Sequence, residues 1–258
     1  MSDRKIAFWF IALLSVLVLV PFLGETIFYS KGEPREAIVA YTMLESGNWI
    51  LPTNYGVEIA YKPPFLYWTI AVISSVLGGV TEFSARMPSA LAFLAMQLVF
   101  FSFVAKRKDV KTAFLTSILL LSSFEVHRAA VACRLDMLQV SLIVISLCLL
   151  FRWDEKNCKG IPWLAVLLMA CATLTKGPVG SIFPCLGIGV YQLLRGRRSE
   201  RLSFHCWASG CCPHSFGHLV LGSLSARRRG VCQFDAGREY RTFLPENVLC
   251  IARESVVV

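Results

Sequence analysis

Ten ionisable side chains sit at or near the ends of long apolar runs: Glu33, Arg35, Lys62, Arg86, Glu125, His127, Arg128, Arg134, Asp136 and Lys176. Carboxylates mixed with Arg and Lys at one membrane face suit chemistry on a phosphorylated lipid. The cations hold the phosphate, Arg through a two-pronged fork. A carboxylate activates an acceptor or holds a divalent metal, the one cofactor this set admits. The plain alternative is that each charge only reaches for water from a helix end, as in any multi-span protein. The two readings differ in whether the elements bring these residues together.

Composition decides the class. The 258 residues are 55% hydrophobic and 17% charged, with a mean hydropathy of +0.59, whereas a soluble domain carries about 25% charged residues. Apolar stretches run over 6–23, 65–80, 87–105, 112–124, 137–151, 161–175 and 179–194. The chain is therefore a polytopic helical membrane protein. Residues 6–23 read as a retained span, since no small-residue cleavage pattern follows them. The net charge of +9 does not point to nucleic acid, because the basic residues cluster in short segments between spans.

Those clusters set the topology. "MSDRK" (1–5), "KRKDVK" (106–111), "RWDEKNCKG" (152–160) and "RGRRSER" (195–201) belong in the cytoplasm by the positive-inside rule. If all seven stretches crossed, 106–111 would fall outside. The stretch that does not cross is "FLYWTIAVISSVLGGV" (65–80): it is short, follows a Pro-Pro pair, is rich in Tyr and Trp and ends in Gly-Gly. It reads as an interfacial helix. Six spans remain, and all ten charges fall on the outer side. A transporter would keep such charges in mid-span to line a pathway; here they sit at span ends.

Within the outer loop, "PREAIVAYTMLES" is amphipathic. Pro34 suits the first turn of a helix and Gly47 its end. Ile38, Tyr41, Met43 and Leu44 are expected to face the membrane, with Arg35, Glu36 and Glu45 facing away. Glu45 and Glu58 read as solvated charges.

Five short motifs occur in order: "GEPREA" (32–37), "YKPP" (61–64), "ARMPSAL" (85–91), "CRLDML" (133–138) and "LTKGP" (174–178). On these, residues 1–198 resemble the membrane glycosyltransferases that use polyprenyl-phosphate sugars, including the aminoarabinose lipid A transferases and, more distantly, the protein O-mannosyltransferases. The resemblance implies Glu33 and Asp136 as catalytic carboxylates and Arg35, Lys62, Arg86, Arg134 and Lys176 as ligands of the donor phosphate. It implies inverting transfer of a sugar from polyprenyl phosphate to a lipid A-like or protein acceptor at the extracytoplasmic face of the plasma membrane. Two departures stand out. Gly32 replaces the first acid of the family's acidic pair, so its role falls to Glu33 or Asp136. Tyr61 stands where some members carry an acid, which weakens a metal site.

From about residue 202 the membrane pattern stops. The segment 202–258 holds half of the ten Cys and three of the four His, without zinc-ligand spacing. Shifted by one nucleotide, the codons permitted for Ala226–Val257 can spell an amphipathic string similar to the segment after the next span in the same family. The expectation is a coding sequence frameshifted near 199–205, which leaves the N-terminal part of a longer enzyme, inactive by itself, with an out-of-frame tail. The expected architecture is an all-α transmembrane bundle of about six spans over 1–201, with a long outer first loop carrying interfacial helices.

Overall fold

The computed structural model describes residues 3–28, 30, 32–55, 58–60, 62–156, 158 and 160–195. Tyr61 and the whole 202–258 segment lie outside the described residues. The described part is helices joined by loops, with one antiparallel pair of two-residue strands (β1, Thr53–Asn54; β2, Glu58–Ile59) in the first loop. The helices are α1 (Asp3–Leu19, continued by a 3-10 turn Val20–Phe22), α2 (Gly32–Ser46), α3 (Phe65–Leu77), α4 (Glu82–Arg107), α5 (Val110–Ser122), α6 (Phe124–Ala130), α7 (Leu135–Glu155), α8 (Trp163–Lys176) and α9 (Val179–Leu194). Three runs, Asp3–Phe22, Glu82–Arg107 and Leu135–Glu155, are long and apolar enough to cross a membrane; α3, α5, α8 and α9 are shorter apolar helices.

Local chemistry explains the boundaries. The Thr81 hydroxyl accepts from the Ser84 backbone N–H, and the Ser84 hydroxyl accepts from the Thr81 N–H, a reciprocal cap that starts α4. At its far end α4 stops after Lys106 and Arg107. Asp109 then caps α5 by accepting from the Thr112 N–H, and the bond from the Thr112 hydroxyl, followed by that backbone bond, holds its carboxyl below the usual range. Gly78 closes α3 with φ at 87° and Gly47 follows α2 with φ at 67°, left-handed conformations that suit glycine.

The long helix α7 is the centre of the bundle and packs on α4, α8 and α9, while α1 packs on α4 and α5. Midway along α1, α4 and α5 the Ser15 hydroxyl donates to Gln97 Oε1 (3.2 Å), and Gln97 Nε2 donates to the Ser117 carbonyl (3.2 Å), all fully buried. Such a bond between spans fixes register more than it adds stability, about 0.6 kcal/mol on average. Trp9, Leu13, Leu17, Leu115, Leu119, Leu164, Leu167, Leu186 and Leu193 stay exposed on the outer helices, as a lipid-facing surface requires.

Helix α3 does not traverse the bundle. At its start Lys62 reaches Glu36 on α2, and near its end the Ser74 hydroxyl bonds that of Ser84 in the first turn of α4 (2.9 Å). Both ends are thus fastened to the same end of the molecule. Its face of Leu66, Ile70 and Ala71 is buried against α2 and the outer ends of α4, α7 and α8. The expected orientation of α2 is corrected. Ile38 and Met43 are 4% and 1% exposed, packed within the protein rather than on lipid, and Glu36 is 1% exposed rather than facing water. For Met43 the reason is α3, whose Tyr67 and Ala71 pack on Val39 and Met43 in place of the bilayer. Glu45 is exposed, as expected.

The helices α8 and α9 meet at "TKGPVG". Gly177 turns the chain with φ at 101°. A Cβ on Gly180 would collide with the Ala172 and Thr173 backbone, so glycine is what lets α9 start against the end of α8. Gly180→Ala is expected to lower the melting temperature of the detergent-solubilised protein by several degrees, by overpacking of about 1–3 kcal/mol, where a surface Gly→Ala would leave it unchanged. For topology, single cysteines at Asn48 and Thr81, in a background without native cysteines, should react with an impermeant maleimide from outside. One at Lys156 should react only after permeabilisation. Labelling of Thr81 from the inside would put α3 across the membrane and separate the charged residues.

Candidate active site

The end of the bundle that carries the first loop holds polar residues in two layers. The lower layer is a buried ion pair. Arg86, in the second turn of α4, and Glu33, in the first turn of α2, are both 0% exposed, with Nε–Oε1 at 3.1 Å. The same Glu33 oxygen accepts from the Cys133 backbone N–H at 2.8 Å, just before α7. The remaining Arg86 donors go to the loop after α1: Nη1 to the Leu23 and Thr26 carbonyls (3.1 and 2.8 Å) and the Thr26 hydroxyl (3.2 Å), and Nη2 to the Ile27 carbonyl (3.3 Å). The Phe28 ring lies 5.3 Å from the guanidinium carbon. The stretch 23–33, the start of α4 and the backbone just before α7 therefore meet on one guanidinium–carboxylate pair.

The upper layer is open to solvent, apart from the buried Glu36 at its base. Glu36, one turn beyond Glu33, receives Lys62 Nζ at 2.7 Å and Arg35 Nη2 at 3.4 Å on its Oε1. Its Oε2 is buried without a hydrogen-bond partner. Burial, and then the Glu36 charge, push the neighbouring Tyr67 phenol well above its ordinary range, so it stays protonated and able to donate. Burial, followed by the Glu33 and Glu36 charges, likewise keeps the Cys133 thiol protonated. On α7, Asp136 takes Lys176 Nζ on Oδ1 at 2.5 Å, and Arg134 Nε lies 3.6 Å from Oδ2. Lys62 is within electrostatic reach of Asp136, which joins the two carboxylate centres. The side chains of Arg35, Lys62, Arg134, Asp136 and Lys176 are between 33% and 49% exposed.

The ten sequence candidates thus divide into three groups. Arg35, Lys62, Arg134, Asp136 and Lys176 converge on an accessible surface. Glu33 and Arg86 lie beneath it, closed off from solvent. Glu125, His127 and Arg128 stay apart on α6, where Glu125 and Arg128 form an exposed pair at 2.7 Å and His127 packs edge-on to Phe22. An apolar cavity of about 350 Å³ between α4, α5, α6 and α7 opens between Asp136 and Glu125, over Met96, Phe100, Leu120, Met137 and Val140. Glu36 and Tyr67 were missed by the sequence reading. The signal for Glu36 was its spacing of three from Glu33, which puts both on one helical face. At Gly32 a Cβ would meet nothing within 4 Å, so the fold has room for the acid that the resemblance expects there. Among the described residues no group of three or more His, Cys, Asp or Glu is arranged to hold a metal ion.

Comparison with known proteins gives the same picture of the fold. An undecaprenyl phosphate-alpha-4-amino-4-deoxy-L-arabinose arabinosyl transferase from Shewanella sediminis is 32% identical over 197 residues, 74% of this chain and 36% of that one. One from Pectobacterium atrosepticum is 28% identical over 75% of this chain and 35% of its own. The chain thus spans a little over a third of the length of these curated relatives. Two crystal structures of ArnT from Cupriavidus metallidurans, apo and bound to undecaprenyl phosphate, each superpose with a TM-score of 0.69, at 23% and 24% identity, over 89% and 86% of this chain and 44% and 42% of theirs. The family of dolichyl-phosphate-mannose-protein mannosyltransferases matches residues 61–211, more than half of the sequence, and the chain belongs to that family.

Proposed function

We propose that this chain supplies the donor-phosphate part of a membrane glycosyltransferase site, at the outer face of the plasma membrane. The donor is a polyprenyl-phosphate sugar and the acceptor a lipid A-like glycolipid, with a protein as the second acceptor class. The observation that carries this reading is the convergence of Arg35, Lys62, Arg134 and Lys176, from three separate loops, on two carboxylates at one end of the bundle. Four accessible cations against Glu36 and Asp136 leave a net positive surface, and a lipid phosphate is the anion within reach there. The apolar cavity beside Asp136 supports a ligand whose charged end and hydrocarbon part must be bound together.

In this account Arg35, Lys62, Arg134 and Lys176 take the phosphate and stabilise the charge that grows on it as the sugar–phosphate bond breaks. Phosphate is a good leaving group, so the acceptor hydroxyl needs only a carboxylate to take its proton. Asp136 is the accessible one, and its two cations keep it ionised. Glu36, itself buried, aims Lys62. Glu33 and Arg86 act through position, because neither reaches the surface.

The test uses a chimera in which residues 1–195 replace the matching segment of the Cupriavidus metallidurans relative, assayed with radiolabelled polyprenyl-phosphate aminoarabinose and lipid A. Asp136→Asn is expected to cut turnover by roughly 10²–10⁴ with little change in donor binding. Lys62→Ala, Arg134→Ala and Lys176→Ala should instead weaken donor binding by roughly 10–100-fold each, the worth of a charged hydrogen bond. Normal turnover in Asp136→Asn would remove it from the chemistry. Unchanged donor affinity in all three cation variants would overturn the phosphate site.

A further inference from the structure

At the opposite end of the bundle, between α1, α4 and α7, lies a cavity of about 370 Å³ that the donor site does not use. Its rim carries Arg4 from α1, Lys106 and Arg107 from the last turn of α4, and Arg152 from the last turn of α7. Its floor is apolar: Phe8, Leu98, Val99 and Leu149. Arg107 is fully engaged. It pairs with Glu155 (Nη2–Oε2 2.6 Å), donates to the Phe103 carbonyl (3.2 Å) and stacks on the Phe103 ring at 3.5 Å. The other three cations have no carboxylate in ion-pair contact among the described residues, and Arg4 makes only a long bond to the Ser102 carbonyl (3.5 Å). Among the described residues that line the cavity, four are positive and none negative, with Glu155 beside them paired to Arg107.

We propose that this cavity binds the headgroup of one anionic phospholipid of the cytoplasmic leaflet, its phosphodiester among Arg4, Lys106 and Arg152 and the upper part of an acyl chain over the apolar floor. Three arguments favour a lipid. The basic segments place this end at the cytoplasmic surface, where anionic lipids concentrate. Basic topogenic charges need no cavity and no converging helices, yet here three helices aim unpaired cations over one pocket. A soluble anion would gain nothing from Phe8 and Leu149, whereas an acyl chain fits them. The volume suits a headgroup and its first methylenes, with the rest of the lipid in the bilayer.

Native mass spectrometry of the full chain, released from detergent, tests this with phosphatidylglycerol, phosphatidylcholine of the same chains and inorganic phosphate. One tight phosphatidylglycerol adduct is expected, which inorganic phosphate does not displace and phosphatidylcholine does not match. Lys106→Gln with Arg152→Gln should weaken that adduct by roughly 10–30-fold. Lys106→Arg with Arg152→Lys should keep it, and so should Arg128→Gln at the other end. Equal binding of phosphatidylcholine, displacement by inorganic phosphate, or unchanged affinity in the double Gln variant would each overturn the proposal.

Discussion

The first-loop end of this protein depends on a charge pair that water cannot reach. Burying a guanidinium and a carboxylate costs several kcal/mol per ion, and their attraction offsets that only if the remaining donors and acceptors are also bonded. Arg86 meets that condition. Its donors go to Glu33 and to the carbonyls of Leu23, Thr26 and Ile27, while Glu33 also takes the Cys133 N–H. These contacts join α4 to the 23–27 loop, to the start of α2 and to the backbone just before α7. The pair therefore converts a flexible loop of irregular backbone into a fixed one, at the cost of tolerating neither partner's removal.

What stands above the pair inherits its geometry. Anchoring Glu33 sets the direction in which α2 leaves the bundle, and that direction puts Glu36 against Lys62 at the start of α3. The cap of Arg134 and Asp136 on α7 is tied to α4 through the Ser89 hydroxyl, which donates to the Arg134 carbonyl at 3.3 Å. Lys176 arrives from α8 because Gly177 and Gly180 let the chain turn and pack closely. A phosphate site needs its cations held in place before the ligand arrives. Here the holding is done by backbone contacts beneath the surface rather than by the exposed ion pairs, which water weakens.

The sequence made the helical membrane class legible, because charge and length constrain a bilayer protein strongly, and its apolar stretches return as helices, three of them long enough to cross a membrane. Gly47 and Pro34 marked the ends of α2 correctly. The burial of Ile38 and Met43 was not legible, since an apolar face on an interfacial helix looks the same whether lipid or α3 covers it. The same ambiguity hid Glu36. Nor could spacing separate Glu33 and Arg86 from the accessible cations: every one of them is a charge near a span end, and only the three-dimensional packing tells which two lie underneath. Nothing in the motif pattern marks the basic cavity at the other end, because each of its cations is also an ordinary inside charge.

The most direct test of the buried pair as the organiser of this end is hydrogen exchange of Arg86→Gln against the parent chain in detergent. The account predicts faster backbone exchange confined to residues 24–46 and 132–136, with the centre of α7 and all of α8 and α9 unchanged. Unchanged exchange over 24–46, or a uniform rise over the whole bundle, would contradict it.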